Sequence, residues 1–295
     1  MRVVIGIDGS AVSLRAHELV ASTPWPHGSM IRLLGVPEPG VLAGEMEAIL
    51  DGLAEPLRRR GYAAQVRVAR GLPADLLLAA GRELQADLIV VGNRGRGPAA
   101  SALLGSVSAV VADHAVCPVL VARAPRVSRI LLATDGSASA RAIPPILARW
   151  GVFRHAPVDV LSVARGKGFG GEAFVTPWAV VSSDQREGRD GDLAHHRQLA
   201  EDVAAELSEA GWRAEPLVRR GEPAEEIVGA ASDLASDMII TGSRGLGDLQ
   251  RLLVGSVAHH VLVHSRCSVL VMRGTVHADA RQPARLPLAV LTPAG

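Results

Sequence analysis

Val90-Val91-Gly92-Asn93-Arg94-Gly95, followed by Gly105-Ser106-Val107-Ser108, decides how this chain is read, because it occurs twice. The second copy is Ile240-Thr241-Gly242-Ser243-Arg244-Gly245, followed by Gly255-Ser256-Val257-Ala258. In both copies an apolar β-type run stops at a glycine, a second glycine follows three residues later, and a Gly-Ser pair follows ten residues after that. Glycines at the carboxyl end of a parallel strand let the backbone turn with φ > 0 and bring N–H groups close to a ligand, with no Cβ in the way. A Gly-Ser pair opening the next helix adds unpaired N–H donors, a hydroxyl and the positive end of the helix dipole. The stretch is shaped for an anion such as a phosphate.

The first glycines of the copies are 150 residues apart (242 − 92), and so are the two cysteines, Cys117 and Cys267 (267 − 117). The cysteines are therefore equivalent positions of a repeat, read as buried reduced thiols just before two short strands. A length of 295 residues also points to about two domains, each able to bury a core. The net charge is only +1 and basic residues are scattered, which leaves no electrostatic footprint for nucleic acid and no polybasic membrane patch. Aromatic residues make up 3%, so stacking platforms for single strands are missing as well. The chain starts directly on a strand, Arg2-Val3-Val4-Ile5, and no apolar run approaches membrane-spanning length, so a cytoplasmic protein is expected.

Working outward, the first half alternates strand and helix signals. Strands are expected over 3–7, 30–36, 64–69, 87–92 and 118–122, and helices from about Ser13, over 45–60, over 73–85 and over 106–114. Five strands alternating with four helices predict a doubly wound, Rossmann-like α/β domain with a parallel sheet. From Ile130 the pattern restarts: Leu132-Ala133-Thr134-Asp135-Gly136-Ser137 matches Ile5-Gly6-Ile7-Asp8-Gly9-Ser10 at an offset of 127 (135 − 8). Further on, at Gly71 and Gly221, the offset is 150, so 23 extra residues (150 − 127) lie between the second strand and second helix of the second copy. The expected organisation is two tandem domains, 1–125 and 126–275, with an insertion at about 164–192 and a tail over 276–295. The insertion reads as a mobile loop or lid segment. Its formal match to a dinucleotide fingerprint, Gly166, Gly168 and Gly171, leads into no helix signal and is read as loop.

Asp8 and Asp135 end the first strand of each copy, on the sheet edge where ligands of open α/β folds bind. An Asp-Gly-Ser turn with Ser10 or Ser137 as helix N-cap is the plain alternative. With the glycine-rich loop on the same edge, a carboxylate accepting hydrogen bonds from a base or sugar is the better reading. Arg94 and Arg244 lie between the two glycines of each loop, placed to neutralise a polyphosphate. Neither a Gly-x4-Gly-Lys-Ser/Thr loop nor a Gly-x-Ser-x-Gly elbow occurs, and no acid and base can be paired for catalysis. His195, His196, His259, His260 and His264 are read as solvated or helix-end residues, since no acidic partner is spaced with them.

The duplicated Gly-x2-Gly-x9-Gly-Ser motif, each copy with its aspartate, resembles the ATP-binding branch of the universal stress proteins in its tandem form. The resemblance covers roughly 1–124 and 127–273. It implies a sheet order of 3-2-1-4-5 in each domain and pairing of the two domains through their fifth strands, 118–121 against 268–271. It implies that Asp8 with Val36, and Asp135 with Val163, hold adenosine. Ribose and phosphates fall to Gly92, Arg94, Gly95, Gly105, Ser106, Val107 and Ser108, and in the second copy to Gly242, Arg244, Gly245, Gly255, Ser256 and Val257. Ala258 stands where the first copy has Ser108, so the second site has one hydroxyl fewer and is expected to bind more weakly. The inserted loop follows Val163 and could cover that site. The implied function is an ATP-binding regulator of stress response or growth control, with or without Mg²⁺, self-associating as a homodimer and no enzyme beyond slow ATP hydrolysis. A weak ATPase or nucleotidyl-transfer enzyme of the related superfamily, and a nucleotide-free scaffold, are the alternatives. Replacing Gly95→Glu and Gly245→Glu together should abolish nucleotide binding by setting a carboxylate where phosphate lies; unchanged ATP affinity in the folded double variant would refute the assignment.

Overall fold

The computed structural model describes residues 1–37, 41–93, 104–165, 183–243 and 254–273, with 183–190 described as backbone only. The first half runs β1 (Arg2–Ile7), α1 (Ala11–Ser22), β2 (Met30–Gly35), α2 (Ala43–Arg59), β3 (Ala63–Val68), α3 (Pro73–Glu83), β4 (Leu88–Gly92), α4 (Ser106–His114) and β5 (Val119–Ala122). The second half runs β6 (Ile130–Thr134), α5 (Ala138–Arg141), α6 (Ile143–Trp150), β7 (Val158–Ala164), α7 (Ser183–Glu209), β8 (Ala214–Arg220), α8 (Pro223–Asp233), β9 (Met238–Gly242), α9 (Ser256–His264) and β10 (Ser268–Met272).

Central strands covered on both faces read as unbroken apolar runs, and Val3, Val4 and Ile5 of β1 and Leu88, Ile89 and Val90 of β4 are buried accordingly. The edge strand β3 instead alternates exposed and half-buried residues. Each half has the expected strand order, 3-2-1-4-5, and the two orders join into one ten-stranded sheet, β3-β2-β1-β4-β5-β10-β9-β6-β7-β8. Pairing within each half is parallel and the join is antiparallel, with Val121 opposite Val269, Leu120 opposite Leu270 and Val119 opposite Val271. Leu120 and Leu270 are 150 residues apart, so the pseudo-two-fold axis of the repeat passes between them.

The arginines that follow the joined strands are also 150 apart, and each reaches into the other half. Arg123 donates to the carbonyls of Leu262, at the end of α9, and Cys267, at 2.5 and 3.1 Å. Arg273 donates to the carbonyls of Ala112 and Asp113 near the end of α4. Carbonyls at a helix C-terminus lack intrahelical partners and carry the negative end of the dipole, so a cation is favoured there. Burial pulls the Arg123 guanidinium down to about 10, still charged at neutral pH. Cys117 is buried, its thiol pushed up to about 12 by desolvation, and Cys267 is half-buried; both are free thiols.

Two features of the second half depart from expectation. Its first helix is two helices, α5 and α6, divided at Ala142. Pro144 and Pro145 lack the N–H groups that would continue the α5 ladder, and proline is tolerated only in a helix's first turn. The polar stretch after Ser182, expected as loop, is helical from Ser183. The start of α2 corresponds to residue 193 (43 + 150), so α7 begins ten residues earlier than its counterpart. Asp184-Gln185-Arg186-Glu187 contains good helix formers without an apolar face, so periodicity carried no helical signal there. Gly166, Gly168, Gly171 and the tail lie outside the described residues. Removing the cross-domain donor with Arg123→Ala should lower stability by about 2 kcal/mol, read as a shift of the urea unfolding midpoint; a midpoint unchanged from wild type would show that the contact is idle.

Candidate functional site

In the order 3-2-1-4-5 the chain leaves β1 toward β2 on one side and later returns to β4 on the other, so a crevice opens at the carboxyl ends of β1 and β4. A cleft of about 530 Å³, part of it open to solvent, lies there. Leu34, Val36, Leu77, Val91 and Val107 give it apolar walls, and Asp8, Ser13 and Ser108 supply polar groups. Val36, Asp8, Gly92, Val107 and Ser108, assigned to one ligand from the sequence, are therefore brought together. Ser106 is exposed at the tip of α4. Arg94, Gly95, Arg244 and Gly245 lie outside the described residues.

Asp8 holds the Asp-Gly-Ser turn and also lines the cleft. Its Oδ1 accepts from the Ser10 N–H at 2.9 Å across Gly9, whose φ is +75°, while Ser10 caps α1 by accepting from the Ser13 N–H at 3.2 Å. One carboxylate oxygen thus holds the turn, while Asp8 itself lines the cleft. Asp135 repeats the turn, with the Ser137 N–H at 3.0 Å and Gly136 at φ +72°.

Gly92 and Gly242 are needed for a different reason from the one the sequence suggested. Neither has positive φ. A Cβ on Gly92 would stand 2.7 Å from Val12 Cγ1 and 3.2 Å from the Val12 carbonyl carbon, because the start of α1 passes over the end of β4. A Cβ on Gly242 would stand 2.9 Å from Ser139 Oγ. The glycines serve helix–strand packing, and through it the position of the Asp-Gly-Ser turn beside the cleft.

The N–H of Gly105 donates to the Asn93 carbonyl at 2.6 Å, and that of Gly255 to Ser243 at 2.7 Å, closing the base of each glycine-rich loop. Gly105 and Gly255 are extended N-caps without a side-chain cap, so the first-turn N–H groups of Ser106, Val107 and Ser108, and of Ser256, Val257 and Ala258, have no carbonyl inside the helix. Ser108, buried, donates its hydroxyl to the Gly92 carbonyl at 2.6 Å. In the second half Thr241, the counterpart of Val91, donates to the Gly242 carbonyl at 3.3 Å. At this carbonyl a strand hydroxyl therefore stands where the first half uses one from the helix.

The second half differs more at its second helix. Leu199 of α7 packs against the Asp135 turn, its Cδ2 2.9 Å from where a Cβ of Gly136 would stand. His196, read as solvated, is tied to the sheet. Its Nδ1 is 2.8 Å from Ser162 Oγ, whose own hydroxyl donates to the Thr134 carbonyl at 3.0 Å, which makes Nδ1 the donor. Nε2 lies 3.8 Å from Asp192. Burial lowers the pKa of the ring, with His195 acting the same way and Asp192 and Asp135 opposing. The counterparts of Ser162 and His196 are Gly35 and Met46, which pack together without polar groups. Aligning the two halves at their different offsets would have exposed this exchange; composition and motif spacing do not. Val163 is buried at the end of β7.

The described lining of the first cleft holds one carboxylate and no imidazole, thiol or amine. Among the described residues no three His, Cys, Asp or Glu side chains are grouped to hold a metal, and no helix is long and apolar enough to cross a membrane.

The "Universal stress protein family" model matches residues 1–123 and again 126–273. Universal stress protein Rv2623 of Mycobacterium tuberculosis (strain ATCC 25618 / H37Rv) is 29% identical over 202 residues, which are 64% of this chain and 62% of that one. The crystal structure of a universal stress protein from Archaeoglobus fulgidus DSM 4304 aligns with 92% of this chain and 98% of its own at a TM-score of 0.63 and 22% identity, a likeness of fold. A universal stress protein crystallised in complex with cAMP is 32% identical, covering 41% of this chain and 94% of its own at a TM-score of 0.33. Among the curated relatives the chain matches, it spans 51% of one and 62% of another. With two successive family matches from residue 1 to residue 273, laid out as two copies of one strand order, the chain belongs to the universal stress protein family.

Proposed function

We propose that this chain is an adenine-nucleotide-binding regulator in stress response or growth control, with ATP as its first ligand and hydrolysis slow at most. The observation that carries the reading is the first-half cleft, where Asp8, Val36, Gly92, Val107 and Ser108 meet around about 530 Å³ at the switch point of the sheet. Apolar walls with few convergent polar groups are the usual make-up of a small-molecule site. Val36 and Leu34 offer a face for the purine, the free oxygen of Asp8 accepts from a ribose hydroxyl, and the unpaired N–H groups at the start of α4 receive phosphate. Arg94 and Arg244 balance phosphate charge, and Mg²⁺ enters on the phosphate oxygens, as it does where few carboxylates are offered. With one carboxylate and no second titratable group in the described lining, the cleft favours holding a nucleotide over attacking it. The second site, under Leu199 and beside His196, is the weaker one, and the chain self-associates as a homodimer in the cytoplasm.

The two halves separate the test. Asp8→Ala should weaken ATP binding by about tenfold or more, the loss of a hydrogen bond to a charged group, and Asp135→Ala should weaken it less, both read by calorimetry alongside ADP, AMP and cAMP. Wild-type affinity in a folded Asp8→Ala variant would overturn the site. Release of ATP on denaturing the purified protein supports the regulator, steady accumulation of ADP or AMP would replace it with the enzyme reading, and failure of every nucleotide to bind would leave the scaffold.

A further inference from the structure

Two histidines on α9 stand outside the nucleotide cleft and have no part in the reading above. His260 and His264 are four residues apart, one above the other on a single helix face, with ring centroids 4.1 Å apart and ring planes tilted by 36°. His264 is exposed and His260 half-buried. Among the described residues neither ring makes a hydrogen bond. The other half supplies an internal comparison. His114, the counterpart of His264 (264 − 150), has its Nδ1 3.0 Å from the carbonyl of Val110, the counterpart of His260. Where residue 110 is valine, the histidine is engaged with its own backbone; where residue 260 is histidine, the ring faces a second imidazole instead.

Two neutral imidazoles gain little from facing each other in water, and two protonated ones repel. A metal ion uses both lone pairs at once. Metal–nitrogen bonds of about 2.0–2.1 Å ask for two ring nitrogens about 3 Å apart when they are neighbours in the coordination shell, a spacing that rings this close reach by small rotations. We propose that His260 and His264 form a two-histidine clamp for a late first-row divalent metal ion, Cu²⁺, Ni²⁺ or Zn²⁺, with water completing the coordination shell. Imidazole suits these ions, and Cu²⁺ is held most tightly. His264 sits in the last turn of α9, where the dipole favours a cation. Arg123, bonded to the Leu262 carbonyl, and the neighbouring Arg266 bring positive charge to the same helix end. Binding therefore depends on the imidazole bonds, and hard ions such as Mg²⁺ and Ca²⁺ are excluded.

His259 provides the control, because it is exposed on the same helix but turned about 100° away from His260. The full chain, purified without a polyhistidine tag, is titrated with NiCl₂ and CuCl₂ by calorimetry. One equivalent should bind, and it should raise the thermal unfolding midpoint. His260→Ala and His264→Ala should each weaken that equivalent by about tenfold or more, with one of two protein bonds lost, while His259→Ala binds as wild type. The copper-bound protein should show two-nitrogen splitting in its electron paramagnetic resonance spectrum, reduced to one in either clamp variant. Equal binding by wild type and His264→Ala, an exposed position whose change leaves the fold intact, would overturn the clamp, as would an equal loss in His259→Ala or binding of MgCl₂ at the same strength.

Discussion

The antiparallel pairing of β5 with β10 is the constraint on which the rest of the molecule depends. A parallel sheet that ended at β5 would leave an apolar edge, Val119 through Ala122, open to solvent with its backbone groups unpaired. Pairing it with β10 satisfies those backbone groups and fuses two five-stranded sheets into one. Arg123 and Arg273 then close the seam from both sides, each taking up carbonyls at the end of the other half's last helix. Those are the same helices whose opposite ends begin at the two Gly-Ser pairs. The seam therefore holds α4 and α9 at one end and presents their unpaired N–H groups at the other.

Equivalent positions do not carry equivalent chemistry. The carbonyl of Gly92 is met by a hydroxyl from the helix, and that of Gly242 by one from the strand. Gly35 and Met46 pack apolar surface where Ser162 and His196 form a hydrogen-bonded chain to the Thr134 carbonyl. The framework is duplicated, while the side chains that meet on it differ between the halves.

Much of this was legible in the residues. Continuous apolar runs such as Leu88 to Val91 announced central parallel strands, and the two offsets, 127 and 150, located the insertion. Family resemblance supplied the sheet order and the fifth-strand pairing. Asp8 and Gly92 could be set on one sheet edge because they end strands 1 and 4, while Val36, Val107 and Ser108 joined them through the family resemblance. The purpose of Gly92 was not legible, since a glycine needed for a close approach by Val12 looks the same in sequence as one needed for φ > 0. The role of His196 was hidden because its partner, Ser162, is 34 residues away in the chain. The start of α7 was hidden because a solvated helix without an apolar stripe resembles a polar loop.

The direction of the join has a consequence for how the halves communicate. Because all pairing inside each half is parallel and the seam is antiparallel, the carboxyl ends of the two sets of strands point to opposite ends of the common sheet. Mechanical coupling between the halves runs through β5, β10 and the two arginines that follow them. Since both strands belong to one chain, their pairing is a unimolecular event. Its extent is set by the length of the connection and not by how much protein is present, so the double sheet persists at any dilution.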